Sequence, residues 1–157
     1  ALREMVHSVE TGVYIKPSRI TLGEYLKQWC QSYAVMHTSP RTAEGYQSIV
    51  HRYIVPALGE IPLYQLQPQH LENYYATALS QGRLDGKGGL SAQTVLHHHR
   101  LLSEALSHAV KQGLLVRNVA EVVAPPQAQR SQMATLSPED IPRFLDPAQR
   151  TPYYVLF

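Results

Sequence analysis

The sequence predicts an all-α domain of four to five packed helices, followed by a linker and the beginning of something new. Three observations carry this. Apolar residues recur at helical spacing, and no long stretch alternates apolar with polar. Ser, Thr and Pro start signals stand before each periodic stretch, and Gly or Pro closes it. Hydrophobic residues at 44% and charged residues at 17% describe a globular chain and exclude a disordered tail.

Residues 1–20 read as a connector, punctuated by Gly12, Pro17 and Ser18. At Thr21 the pattern changes. Thr21 and Glu24 have capping-box spacing, and Leu22, Tyr25, Leu26, Trp29, Cys30 and Tyr33 follow at helical intervals, predicting helix one over about 21–36. Ser39 then caps helix two with Pro40 in its first turn. Its stripe is Ala43, Tyr46, Ile49, Val50 and Tyr53, and Pro56 with Gly59 closes it. Helix three is expected over 68–81, with Leu71, Tyr74, Tyr75, Ala78 and Leu79 on one face. The glycine-rich "QGRLDGKGG" is a loop, expected to be mobile. Helix four runs from about Ser91 to Gln112 and stops at Gly113. "LLVRNVAEVV" suggests a short fifth helix, and "APPQAQRSQM" a proline-marked linker. "LSPED" opens another helix, with Ser137 as cap and Pro138 in first position. Four or five such helices bury one core by packing their stripes together.

Cys30 is the only cysteine, so an intrachain disulfide and a Cys-based zinc site are excluded. No apolar run approaches the roughly 20 residues that span a bilayer, so no membrane partner is expected. The N-terminus has no secretory apolar segment, which makes the cytoplasm the default location. The net charge of +2, with pI 8.7, leans basic without demanding nucleic acid.

The triplet His97, His98 and His99 in helix four raises the question of metal, chemistry or decoration. At about 100° per residue the three point three ways. Val95, Leu102, Ala105, Leu106, Ala109 and Val110 form the buried side, His98 and His99 flank it as locally bonded boundary residues, and His97 points outward. Adjacent side chains do not converge on one ion, and only Glu104 and His108 have ligand spacing, so no metal site is expected. The outer face, Gln93, His97, Arg100 and Lys111, is basic with Glu104 its one acid. Helix two has the matching column Arg41, Gly45, Ser48 and Arg52. Gly45 costs about 1 kcal/mol of helix stability relative to Ala, and is either a point of close backbone approach or a tolerated accident. Arg and Gln suit base edges, capped helix starts suit phosphates, and a helix fits the major groove. DNA binding is one reading of these faces; a helical protein-interaction or assembly module with solvated faces is the other.

Four segments in order sharpen the choice: "ITLGEYLKQWC", "SPRTAEGYQSIVHRYIVPALGEIPLYQLQPQHLENYY", "GGLSAQTVLHHHRLLSEALSHAVKQGLLVRNVAEVVAPP" and "ATLSPEDIPRFL". Together they resemble the core-binding, SAM-like domain of tyrosine recombinases, of the phage and conjugative-transposon integrase type, over about residues 12–157. One departure is Asn118-Val119, where the family usually has Asn-Pro. The resemblance implies a linker from an arm-binding domain at 1–20, a core-binding domain at 21–124, an interdomain linker at 125–134 and the start of an α+β catalytic domain at 135–157. It implies a clamp on double-stranded DNA at the core recombination site, closed by the chain's own C-terminal catalytic domain and assembled as a recombinase tetramer. The family's DNA-facing positions match Arg41, Thr42, Ser48 and Arg52 on helix two, and Ser91, Gln93, Thr94, His97 and Arg100 on helix four, with Lys87 as a phosphate contact in the loop between. The family's chemistry is a tyrosine attack on a DNA phosphodiester, needing no cofactor. Its catalytic residues are expected beyond Phe157, so no catalytic residue is nominated and the chain by itself is not expected to be an enzyme. Tyr25, Tyr33, Tyr46, Tyr53, Tyr74 and Tyr75 lie on or beside apolar stripes and are read as core, and Tyr153 with Tyr154 as part of the first catalytic-domain helix.

Overall fold

The computed structural model describes residues 19–127 and 137–148. The connector up to residue 18, most of the linker (128–134) with residues 135–136 after it, and the segment holding Tyr153 and Tyr154 lie outside the described residues. Within them the fold is helical, without a strand; Thr21 and Pro62 form an isolated antiparallel bridge.

Helix α1 occupies 22–37. It begins as Leu22–Trp29, passes through a π-helical turn at Cys30–Ala34 and ends with Val35–His37. The expected capping box is present: Thr21 Oγ1 accepts from the Glu24 amide at 3.2 Å, and Glu24 returns the bond by accepting from the Thr21 amide at 2.9 Å. Helix α2 occupies 40–58, as Pro40–Ile49, a second π turn at Val50–Ile54, and Val55–Leu58. The first segment of each helix lies against the π turn of the other, forming an α-hairpin. At its open end Gly23 donates its amide to Gly59 O at 3.0 Å, and a Cβ on Gly23 would stand 3.0 Å from that same backbone. Two glycines therefore meet where the chain has no room for a side chain.

A 3₁₀ turn, Leu63–Gln65, leads to α3, Pro68–Gln81, which keeps the expected bounds. Helix α4, Ala92–Lys111, starts at the Ser91 cap and ends at Gly113, whose φ of 70° lets the Leu114 amide reach Ala109 O at 2.9 Å. The core gathers Leu22, Leu26 and Trp29 of α1, Val50 and Ile54 of α2, Leu71 of α3 and Val95, Leu101, Leu102 and Leu106 of α4.

Four expectations need correction. The fifth helix is a 3₁₀ turn, Val119–Val122, because Asn118 turns inward: its amide nitrogen donates to Ser103 O at 2.9 Å and Ser107 Oγ at 2.8 Å, while its oxygen caps the Ala120 amide. The last helix, α5, starts at Asp140 rather than Pro138, since the Asp140 amide closes a tighter turn on Ser137 O and Ser137 Oγ donates to the Asp140 carboxylate. Leu79, expected on the buried face of α3, is 41% exposed. The glycine loop packs on its backbone instead: a Cβ on Gly89 would collide with Leu79 O. Leu101 and His98 join the buried side of α4, whereas Val110 is only partly buried.

Candidate nucleic-acid interface

On α2 the predicted residues Arg41, Thr42, Ser48 and Arg52 are all exposed, as are Glu44 and His51. The start of this face is fixed by Ser39, whose Oγ accepts from the Thr42 amide at 3.3 Å and lies 2.8 Å from Thr42 Oγ1. Gly45 sits in the same column with open space where a Cβ would be. Nothing within the domain needs it small.

On α4, Ser91, Gln93, His97 and Arg100 are exposed, and Gln93 Nε2 meets His97 Nε2 at 3.2 Å. Thr94 is half-buried because its hydroxyl turns back on Ser91 Oγ at 2.8 Å. What orients this face is the rest of the histidine triplet. His98 is fully buried and its Nδ1 lies 2.8 Å from Tyr74 OH, while His99 Nδ1 lies 3.1 Å from Tyr75 OH. Their partners are on α3, not local as expected. Two adjacent tyrosines thus meet two adjacent histidines, which locks the rotation of α4 on α3 and leaves His97 and Arg100 turned to solvent. Burial pushes His98 down to about 4, with the neighbouring His97 adding to it, and burial lowers His99 too, so both pair as neutral rings near neutrality.

Helices α2 and α4 run side by side and antiparallel: Tyr46 OH donates to Glu104 Oε2 at 3.2 Å near one end, and the Tyr53 and His98 rings stand 5.1 Å apart near the other. Of the pair with ligand spacing, Glu104 is thus engaged by α2, and the His108 ring lies tilted against Tyr33 of α1 with centroids 4.2 Å apart. Among the described residues no group of three His, Cys, Asp or Glu side chains could hold a metal ion.

The loop before α4 carries hydrogen bonds of its own. Asp85 accepts from the Arg83 guanidinium at 3.1 and 2.9 Å and from the Lys87 amide at 3.0 Å, and Arg83 holds the Asp85 carboxyl below the usual carboxylate range. Gly86 and Gly88 take φ of 69° and 115°, and the Leu90 amide ties the loop to Ala78 O at 2.8 Å. Lys87 is fully presented on its surface. A cavity of about 530 Å³ lies between α2, α3 and this loop, with Arg52 and Arg83 on its wall. A second, shallower one shares Tyr53, Arg83 and Leu84 with it and reaches Ser91 and Thr94. Of the predicted residues at this end, Arg52 lines the first hollow and Ser91 and Thr94 the second, while Lys87 stands exposed on the loop outside both. Arg41 lies toward the other end of α2.

The family described as phage integrase, N-terminal SAM-like domain, matches residues 21–79. A phage integrase SAM-like domain from Moorella thermoacetica is 35% identical, over 76% of this chain and 97% of its own length, with a TM-score of 0.57. The chain belongs to the phage integrase SAM-like family. Among curated proteins, an integrase of Saccharopolyspora erythraea is 27% identical over 123 residues, which is 77% of this chain and 26% of that protein. The SAM-like domain seen here thus spans about a quarter of that relative's length. The Tn1549 transposon integrase, solved in complex with circular intermediate DNA, shares the fold at 18% identity and a TM-score of 0.62, over 87% of this chain and 42% of its own.

Proposed function

We propose that this chain is the core-binding part of a site-specific tyrosine recombinase, an integrase that clamps double-stranded DNA at the core recombination site. The observation that carries the reading is the antiparallel pair α2 and α4, each with an exposed column opposite its core stripe, arginines and hydroxyls on α2 and Gln93, His97 and Arg100 on α4. Arg52 and Arg100 offer forked donors to guanine edges or phosphates, Gln93 and His97 offer donors and acceptors to base edges, and Arg41, Thr42, Ser48, Lys87, Ser91 and Thr94 serve the backbone. The fold shared with an integrase solved on DNA supports the same class of partner.

In the whole protein the domain at 21–124 acts with a catalytic domain that begins at 135–157, joined by the linker at 125–134 and preceded by a connector at 1–20. That domain supplies the tyrosine nucleophile, and the energy of the broken phosphodiester is kept in a 3′-phosphotyrosine link, so no cofactor is required. The working assembly is a recombinase tetramer on DNA in the host cytoplasm, performing integration or excision.

Backbone amide resonances titrated with duplex DNA test the assignment. Shifts are expected along the outward sides of 41–52 and 91–100 and at Lys87. Shifts centred instead on Val35 and Met36, exposed by 54% and 74% at the end of α1, would turn the reading to a protein-interaction module.

A further inference from the structure

We propose that Arg83 is a further contact to the duplex phosphates and that Asp85 is the positioning residue that presents both Arg83 and Lys87 to the DNA. This rests on the DNA-binding reading above and deepens it. Three observations converge on the pair. First, Arg83 stands in the gap between the two basic columns: it lines the cavity that holds Arg52 and also the groove that reaches Ser91 and Thr94. A phosphate backbone passing from α2 to the start of α4 crosses this side chain. Second, the Arg83 side chain is half exposed, at 52%, although two of its N–H groups are engaged by Asp85. The remaining donors of the planar fork are free for an anion, and the fork is pre-oriented, so less side-chain freedom is lost on binding.

Third, Asp85 spends all its bonds inside the loop. One oxygen accepts from Arg83 Nε and the Lys87 amide, and the other from the outer guanidinium nitrogen. The Arg83 amide closes the loop on Gly88 O at 3.0 Å, with the two left-handed glycines on either side of Lys87. An acid beside a DNA track repels phosphate unless it does something that outweighs its charge. Here it fixes one cation directly and holds the backbone of the next.

The consequence has an unusual sign. Asp85→Ala adds one positive charge to the interface, and by Coulomb attraction alone it should tighten binding. Loss of positioning acts the other way. The test is fluorescence anisotropy of the 157-residue chain on duplex DNA across a salt series, for the unchanged protein, Asp85→Ala, Asp85→Asn and Arg83→Ala. The expected result is that Asp85→Ala binds about three- to tenfold more weakly at low salt, with a shallower salt slope. Asp85→Asn, which keeps an oxygen for the Lys87 amide and Arg83, should recover most of the affinity. Arg83→Ala should reduce the salt slope by about 1. Because the loop is exposed, melting temperatures should stay level, which separates positioning from a general loss of structure. Equal or tighter binding by Asp85→Ala, with the unchanged chain binding normally, overturns this inference alone. Failure of the unchanged chain to bind at any salt overturns the DNA reading and this inference with it.

Discussion

Cys30, the first residue of the π turn in α1, is 1% exposed, and burial pushes its thiol up to about 11, so it behaves as a small core side chain and not as a nucleophile. His98 is the more informative buried group. Its ring is enclosed by Tyr53, Tyr74 and the α4 backbone, with Nδ1 paired to a hydroxyl and Nε2 without a hydrogen-bond partner. The folded chain therefore resists protonating it, whereas the unfolded chain protonates it near 6.5. As pH falls from about 6.5 toward 4 the unfolded state takes up the proton first, so stability drops in that window, by at most roughly 1.4 kcal/mol per pH unit from this group. Denaturant midpoints followed across the window should fall more steeply for the unchanged protein than for His98→Gln. Parallel curves would mean that His98 is protonated as easily folded as unfolded. The sequence marked His97, His98 and His99 as pointing three ways, and that much survives. Their partners were not legible, because Tyr74 and Tyr75 reach them only through the packing of α3 on α4. Asn118 was hidden for the same reason: its bonds run to Ser103 and Ser107 on the preceding helix.

At the scale of elements, caps and periodicity located α1 to α4 within a residue or two, since Thr21, Ser39 and Ser91 each use a side-chain oxygen to hold an amide of the first turn. The two π turns carry no such local mark. They arise where α1 and α2 press against each other, which is a tertiary event. The last helix was placed too early because Pro138 reads equally well as a first helical residue or as part of the turn that precedes one. Gly45 remains the element-level feature that packing does not explain. It lies mid-helix, exposed, with nothing within 4 Å of a Cβ position. Gly45→Ala should raise stability by up to about 1 kcal/mol. If the duplex backbone approaches α2 at this point, the same change should weaken DNA binding several-fold. A variant both more stable and undiminished in affinity would reduce the glycine to a tolerated accident.

Across the whole molecule, the two sides of each helix divide the labour. The inward sides of α1 to α4 build a continuous apolar core, and the polar sides of α2 and α4 are left with arginines, amides and hydroxyls rather than with paired surface charges. The fold class was legible because the amphipathic stripes recur at helical spacing; the candidate interface was legible only as two separate columns. That the columns lie antiparallel, with the Arg83–Asp85 loop bridging one end, needed the packed structure. The central claim is that these columns neutralise DNA phosphates, and the measurement that meets it most directly is the slope of log affinity against log salt for duplex DNA, with and without the paired change Arg52→Ala and Arg100→Ala. The account expects a steep negative slope that the double variant makes shallower by about 2, with an unchanged melting temperature. A slope near zero, or one that the double variant leaves as steep as before, would contradict it.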